Sequence, residues 1–131
     1  IGPELKKDGI GLFQWFIRDN LDIQGYTQSI WSGVSTLELA KAIKWAIDND
    51  ITGLYHITNG LSINKNDLLH LFKKYTKSQI KIEPVIGKAQ DKSLIDTRNI
   101  INYKIPSYEQ MVMEMISDIK LNNDQYDYKH L

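Results

Sequence analysis

Segments of helical periodicity alternate along this chain with short apolar runs of strand type, and that alternation restricts it to an α/β fold. The clearest helix start is Ser35-Thr36-Leu37-Glu38. A serine at this point can accept from the amide three residues on, and Glu38 can return a bond to the cap's own amide. Ala40, Ile43 and Ile47 follow at helical spacing, with Thr36, Leu37 and Leu39 flanking the same stripe, and Asn49-Asp50 ends the helix.

Three further helices are expected. One runs from Ile10 to about Asn20 and is largely buried through Phe13, Trp15, Phe16 and Ile17. Another opens at Asn64 and Asp67 and carries Leu68, Leu71, Phe72 and Tyr75. The last starts at Pro106-Ser107, where Gln110 completes a second capping box, and presents Met111, Val112, Met115, Ile116 and Ile119. Between the helices, residues 21–26 and 29–34 read as short strands around Thr27-Gln28. Residues 53–58 read as a buried strand closed by Asn59-Gly60. Ile80 and Ile82 alternate with Lys81 and Glu83 in a half-exposed strand that Pro84 confines to a sheet edge or ends. Residues 1–9 form a loop, through Gly2-Pro3 and Asp8-Gly9. Residues 122–131 are polar and are expected to fray.

Composition excludes several classes of function. The 131 residues suit one domain, and 42% hydrophobic with 24% charged residues is usual for a soluble globular protein. Sixteen basic and sixteen acidic residues balance, without the basic block that a nucleic-acid binder concentrates. Lys6-Lys7 and Lys73-Lys74 are read as solvated faces. With no cysteine, a disulfide scaffold, a thiolate zinc site and a cysteine nucleophile are excluded. No apolar run approaches the roughly 20 residues that span a bilayer, so no membrane association is expected. The chain starts at Ile1 without a secretory pattern, which suggests a fragment or a processed product.

The usual catalytic signatures are missing. Gly9-Ile10-Gly11 lacks the third glycine of a dinucleotide fingerprint and follows a loop rather than a strand. His56, His70 and His130 have no second ligand at helical spacing, and a core or hydrogen-bonded role is the ordinary reading, so no metal site is expected. Asp48 with Asp50, and Asp124 with Asp127, read as surface charge. Ser29, Ser32, Ser35 and Ser93 lack a nucleophile-elbow context. Trp15 and Trp45 lie within helices and read as core. Trp31, on a short strand beside a turn, is the aromatic residue that suggests a ligand-facing role.

The order of motifs carries more than any of them alone. "IGPEL" at the start, "IWSGVSTLELAKAI" from Ile30, "GLYHITNG" from Gly53, "DKSLIDTR" from Asp91 and a closing helix after "YKIPSYEQM" follow one another along the chain. The set resembles the second half of extended short-chain dehydrogenases/reductases, most closely the dTDP-4-dehydrorhamnose reductase and sugar-nucleotide epimerase group. The resemblance covers the chain to about Ile119. It implies an α/β fold in which residues 1–121 form the C-terminal substrate-binding portion, with residues 122–131 as a flexible tail. Residues 53–58 would be a late strand of a Rossmann-type parallel sheet. It also implies NADP or NAD, bound mainly by an N-terminal part that is absent here, with Gly2 and Pro3 passing near the nicotinamide.

Substrate contacts implied by the same resemblance fall on Glu4, Gly11 and Phe13, on Gln28, Ser29 and Trp31, and on Lys92 for a diphosphate. At Lys92 the chain has lysine where the family usually has arginine-proline, and lysine cannot form the bidentate fork. Arg98 would hold the closing segment. The family's Tyr-x-x-x-Lys lies upstream, and no tyrosine here has lysine four residues later. No catalytic residue is therefore assigned within the chain. The implied partner is a nucleoside-diphosphate sugar, with homodimerisation and a cytoplasmic location expected. The parent would be an NAD(P)-dependent reductase serving polysaccharide biosynthesis, and this part alone would be inactive. The alternative is a non-catalytic nucleotide-sugar-binding or assembly module.

Overall fold

A computed structural model describes residues 1–6, 8–18, 22–97, 102–126 and 128. Four helices and five short strands alternate along it: α1 (Leu12–Arg18), β1 (Ile23–Tyr26), β2 (Ser29–Trp31), α2 (Thr36–Asp48), β3 (Ile63–Asn64), α3 (Lys65–Thr76), β4 (Ile82–Val85), β5 (Gln90–Lys92) and α4 (Tyr108–Leu121). The fold is mixed α/β. Leu21, Asn20 and Arg98, to which the sequence assigned a strand start, a helix end and a structural role, lie outside the described residues.

The three long helices start where side-chain chemistry dictates. Ser35, Asn64 and Ser107 each accept, through a side-chain oxygen, the amide of the residue three positions on: Glu38, Asp67 and Gln110. Each bond satisfies one amide that the first turn leaves orphaned. The Glu38 carboxylate does not turn back to the cap; it accepts from the Tyr103 hydroxyl at 2.7 Å.

One core joins α1, α3 and α4. Phe13 and Phe16 meet Phe72 edge-on at centroid separations of 5.1 and 5.6 Å. Leu68, Leu69, Val112, Met115, Ile116 and Ile119 fill the space around them, and Ile23 and Ile82 close it from the strands. The entire α4 stripe expected from its spacing is buried. Tyr128 also belongs to this core: it meets Phe13 at 5.8 Å, and its hydroxyl accepts from the Glu4 amide at 2.9 Å. At Tyr126 and Tyr128 the polar tail is therefore packed on the fold rather than projecting from it.

The strands form two small sheets. β1 pairs in parallel with β4, so Pro84 sits on an edge strand opposite Gly25, as its missing amide requires. β2 is central in the other sheet, antiparallel to β3 and parallel to β5. β1 and β2 do not pair with one another.

One expectation about burial fails. Residues 53–58 carry no strand; Leu54 is 73% exposed and the stretch finds no ladder partner among the described residues. Its composition suits a strand, but a strand needs a neighbour to satisfy its amides and carbonyls. The apolar stripe of α2 faces outward: Leu39, Ile43 and Ile47 are exposed, while Glu38 and Ala42 turn inward. Ala42 and Glu38 lie on the side that meets α4, where Lys41 pairs with Glu114 at 2.5 Å.

Candidate substrate site

β2, β5 and β3 build one wall of a cavity of about 570 Å³. Register aligns Trp31 with Ile63 on one side and Lys92 on the other, while Ser29 stands opposite Gln90. Successive side chains alternate faces, so Ser29 and Trp31, like Gln90 and Lys92, project to the same side. The opposite wall comes from Ile10, Leu12 and Trp15 around the start of α1, with Lys65 and Leu68 from α3.

Trp31 is held in place by its neighbours. A side chain at Gly33 would run into its indole, and Tyr108 meets it at a centroid distance of 6.2 Å. Tyr108 is fixed in turn, donating to the Leu61 carbonyl at 2.7 Å, with burial raising its pKa so that it remains a donor. Below β2, the Ser32 hydroxyl accepts from the Leu94 amide at 2.6 Å, which ties the segment after β5 to the wall.

The cavity's charge is one-sided. Among the described residues Lys65 and Lys92 line it, and no carboxylate does. Among the described residues neither lysine has an ion-pair partner. The Lys65 ammonium lies over the rings of Trp15 and Tyr26, at 5.4 and 5.6 Å from their centroids. Two indoles, an apolar floor and two unpaired cations suit a ligand with a flat ring and an anionic group.

Of the residues singled out in the sequence, Ser29, Trp31 and Lys92 meet in this cavity. Gly11 lies between two lining residues, Ile10 and Leu12, and its amide donates to the Glu4 carboxylate. Glu4 thus closes the 4–11 loop from inside the fold. Phe13 does not reach the cavity: at 1% exposure it packs between Phe72 and Tyr128, because a helical neighbour of lining Leu12 points about 100° away. Gln28 is exposed and contributes its carbonyl, which accepts from the Gln90 amide at 3.0 Å. His56 is exposed, with Nδ1 3.0 Å from the Ile95 carbonyl.

Trp15 and Lys65 were missed. Trp15 both packs against the core and lines the cavity, a double role its helical position could not show. Lys65 had one signal: a cation in a helix's first turn, where the macrodipole favours acids.

Gly2 and Pro3 lie apart from the cavity, Gly2 against the Thr36 side chain and Pro3 in a small depression with Thr36, Leu37 and Tyr126. The glycine pair nearest to a phosphate loop, Gly9 and Gly11, closes on the Glu4 carboxylate, so its free amide is already taken by an internal anion.

The helices and strands that build this wall make the chain a mixed α/β fold. No family model matches the sequence, and no curated protein matches it. Solved structures do match. A dTDP-4-dehydrorhamnose reductase from Bacillus anthracis in complex with NADP superposes with a TM-score of 0.72 at 18% identity, covering 86% of this chain and 44% of that one. The corresponding reductase from Clostridium acetobutylicum gives 0.67 at 17% identity over 86% and 45%. A UDP-N-acetylglucosamine 4-epimerase from Methanobrevibacter ruminantium in complex with UDP-N-acetylmuramic acid gives 0.65 at 19% identity over 89% and 42%. The chain therefore spans less than half the length of the structures whose fold it shares. No helix among the described residues is long and apolar enough to cross a membrane.

Proposed function

We propose that this chain is the substrate-binding part of an NAD(P)-dependent sugar-nucleotide reductase of the dTDP-4-dehydrorhamnose reductase kind, serving cell-surface polysaccharide synthesis. The observation that carries the reading is the cavity between β2, β5, α1 and α3: Trp15 and Trp31 line it, Lys65 and Lys92 are its only charged side chains among the described residues, and neither is neutralised. Structures of similar fold, named for nucleotide-sugar reduction or epimerisation, support the same ligand class.

In this reading the chain positions the nucleotide sugar, and hydride transfer belongs to a dinucleotide-binding part that it does not contain. The nicotinamide would supply the hydride. What these residues do is bind, orient and exclude water. Trp31, backed by Tyr108 and Gly33, offers a fixed flat face. Ser29 and Gln90 add hydrogen-bonding groups beside it, and Lys92 adds charge at the rim.

The open apolar face of α2 and the stretch 53–58, which has no ladder partner among the described residues, favour this reading over a free-standing binding module. Both are surfaces on which a further layer would pack, and a self-sufficient module would be expected to cover them. Thermal unfolding with added ligand tests the proposal. A ligand that binds only the folded state raises its Tm. dTDP-rhamnose should raise it and NADPH should not; a shift with NADPH alone would reverse the assignment.

A further inference from the structure

We infer that Lys65 is the residue that reads the ligand's phosphate, and that its ammonium leaves the aromatic faces of Trp15 and Tyr26 to do so. The inference rests on the nucleotide-sugar reading of the cavity and adds a residue and an order of events to it.

Three observations converge on Lys65. It lines the cavity from the first turn of α3, where a cation opposes the helix macrodipole and gives the helix no advantage. No carboxylate pairs with it among the described residues; the nearby Asp67 is engaged by the side chains of Asn64 and Asn66 at 2.7 and 3.1 Å. Its ammonium instead lies within cation–π distance of two rings, 5.4 Å from Trp15 and 5.6 Å from Tyr26. Of these rings, Trp15 also lines the cavity.

Trp15 can present that ring face to one occupant at a time. A flat base stacking on the indole must displace the ammonium. A cation over a half-buried ring is held more weakly than one bonded to a phosphate oxygen. The displaced Lys65 therefore has a better partner when the ligand carries a diphosphate, and a worse position when it does not. A nucleoside alone must evict the lysine without replacing its contact. Discrimination for the diphosphate thus comes partly from the cost of unseating Lys65, whereas Lys92, exposed and over no ring among the described residues, supplies attraction without this gate.

The test is isothermal titration of thymidine and thymidine 5′-diphosphate into the wild-type chain, Lys65→Met and Lys65→Arg, with Tm measured alongside. The wild type should prefer the diphosphate. Lys65→Met should weaken diphosphate binding roughly tenfold to a hundredfold, the range for loss of one charged hydrogen bond. In the same variant, thymidine should bind as well as before or better, because the ring is free. Lys65→Arg should restore most of the preference. If Lys65→Met keeps the diphosphate preference, or loses both ligands equally at an unchanged Tm, the role of Lys65 is refuted while the cavity stands. If the wild type binds neither compound, the nucleotide reading of the cavity fails and this inference falls with it.

Discussion

Phe13 illustrates how far one residue's role depends on its direction rather than its place in the chain. Its neighbours Ile10 and Leu12 line the cavity, yet its own ring is sealed between Phe72 and Tyr128. Phe13→Ala should destabilise the fold by about 3–5 kcal/mol, as a large-to-small change in a packed core does. Chemical denaturation would check this; intact stability with weakened ligand binding would instead make Phe13 a cavity residue. Tyr103 permits a second test. Burial first, and then its bond to the Glu38 carboxylate, pushes its hydroxyl up to about 12 from the usual value near 10. The folded state thus holds its proton where the unfolded state has released it. The stabilisation is complete below about pH 10 and declines as pH rises through about 12. Tyr103→Phe should flatten the alkaline fall in stability, and an unchanged profile would exclude Tyr103 as its source.

At the scale of elements, what was legible in the sequence was what is decided locally. Ser35, Asn64 and Ser107 were readable as helix starts because a cap needs only an oxygen and an amide three residues away. Ser35→Ala should cost about 1 kcal/mol, within the usual range for a lost cap, and an unchanged midpoint in urea would contradict that. Non-local features were not readable. Residues 53–58 have a strand's composition without a strand's partner, and β3 and β5 are too short to carry a periodic signal. The α2 periodicity was correctly helical, but a stripe does not name the surface it meets. Replacing Ile43 and Ile47 by lysine should leave the helix and the Tm nearly unchanged, since both are exposed. The same pair of changes should abolish any self-association detected by sedimentation. Association that persists would mean another surface is responsible.

For the whole molecule, the division of labour is the central point. The core of α1, α3 and α4 holds a wall of three short strands, and two indoles and two lysines line the cavity on that wall. The residues that line the cavity were partly visible beforehand: Trp31 by its setting on a strand-like segment and Lys92 through the family resemblance, whereas Trp15 reads as core and Lys65 carries only its first-turn position, because which side of a helix faces a cavity is fixed only by tertiary packing. This chain alone should leave NADPH unoxidised in the presence of a dTDP-4-keto sugar, and steady oxidation at 340 nm would overturn the assignment of chemistry elsewhere. The most direct measurement is calorimetric titration of dTDP-rhamnose into the wild-type chain and into Trp31→Ala. The account predicts saturable binding at one site that the substitution weakens about tenfold or more, in the range of one lost aromatic stacking contact. No binding by the wild-type chain, or equal binding by Trp31→Ala at equal stability, would contradict it.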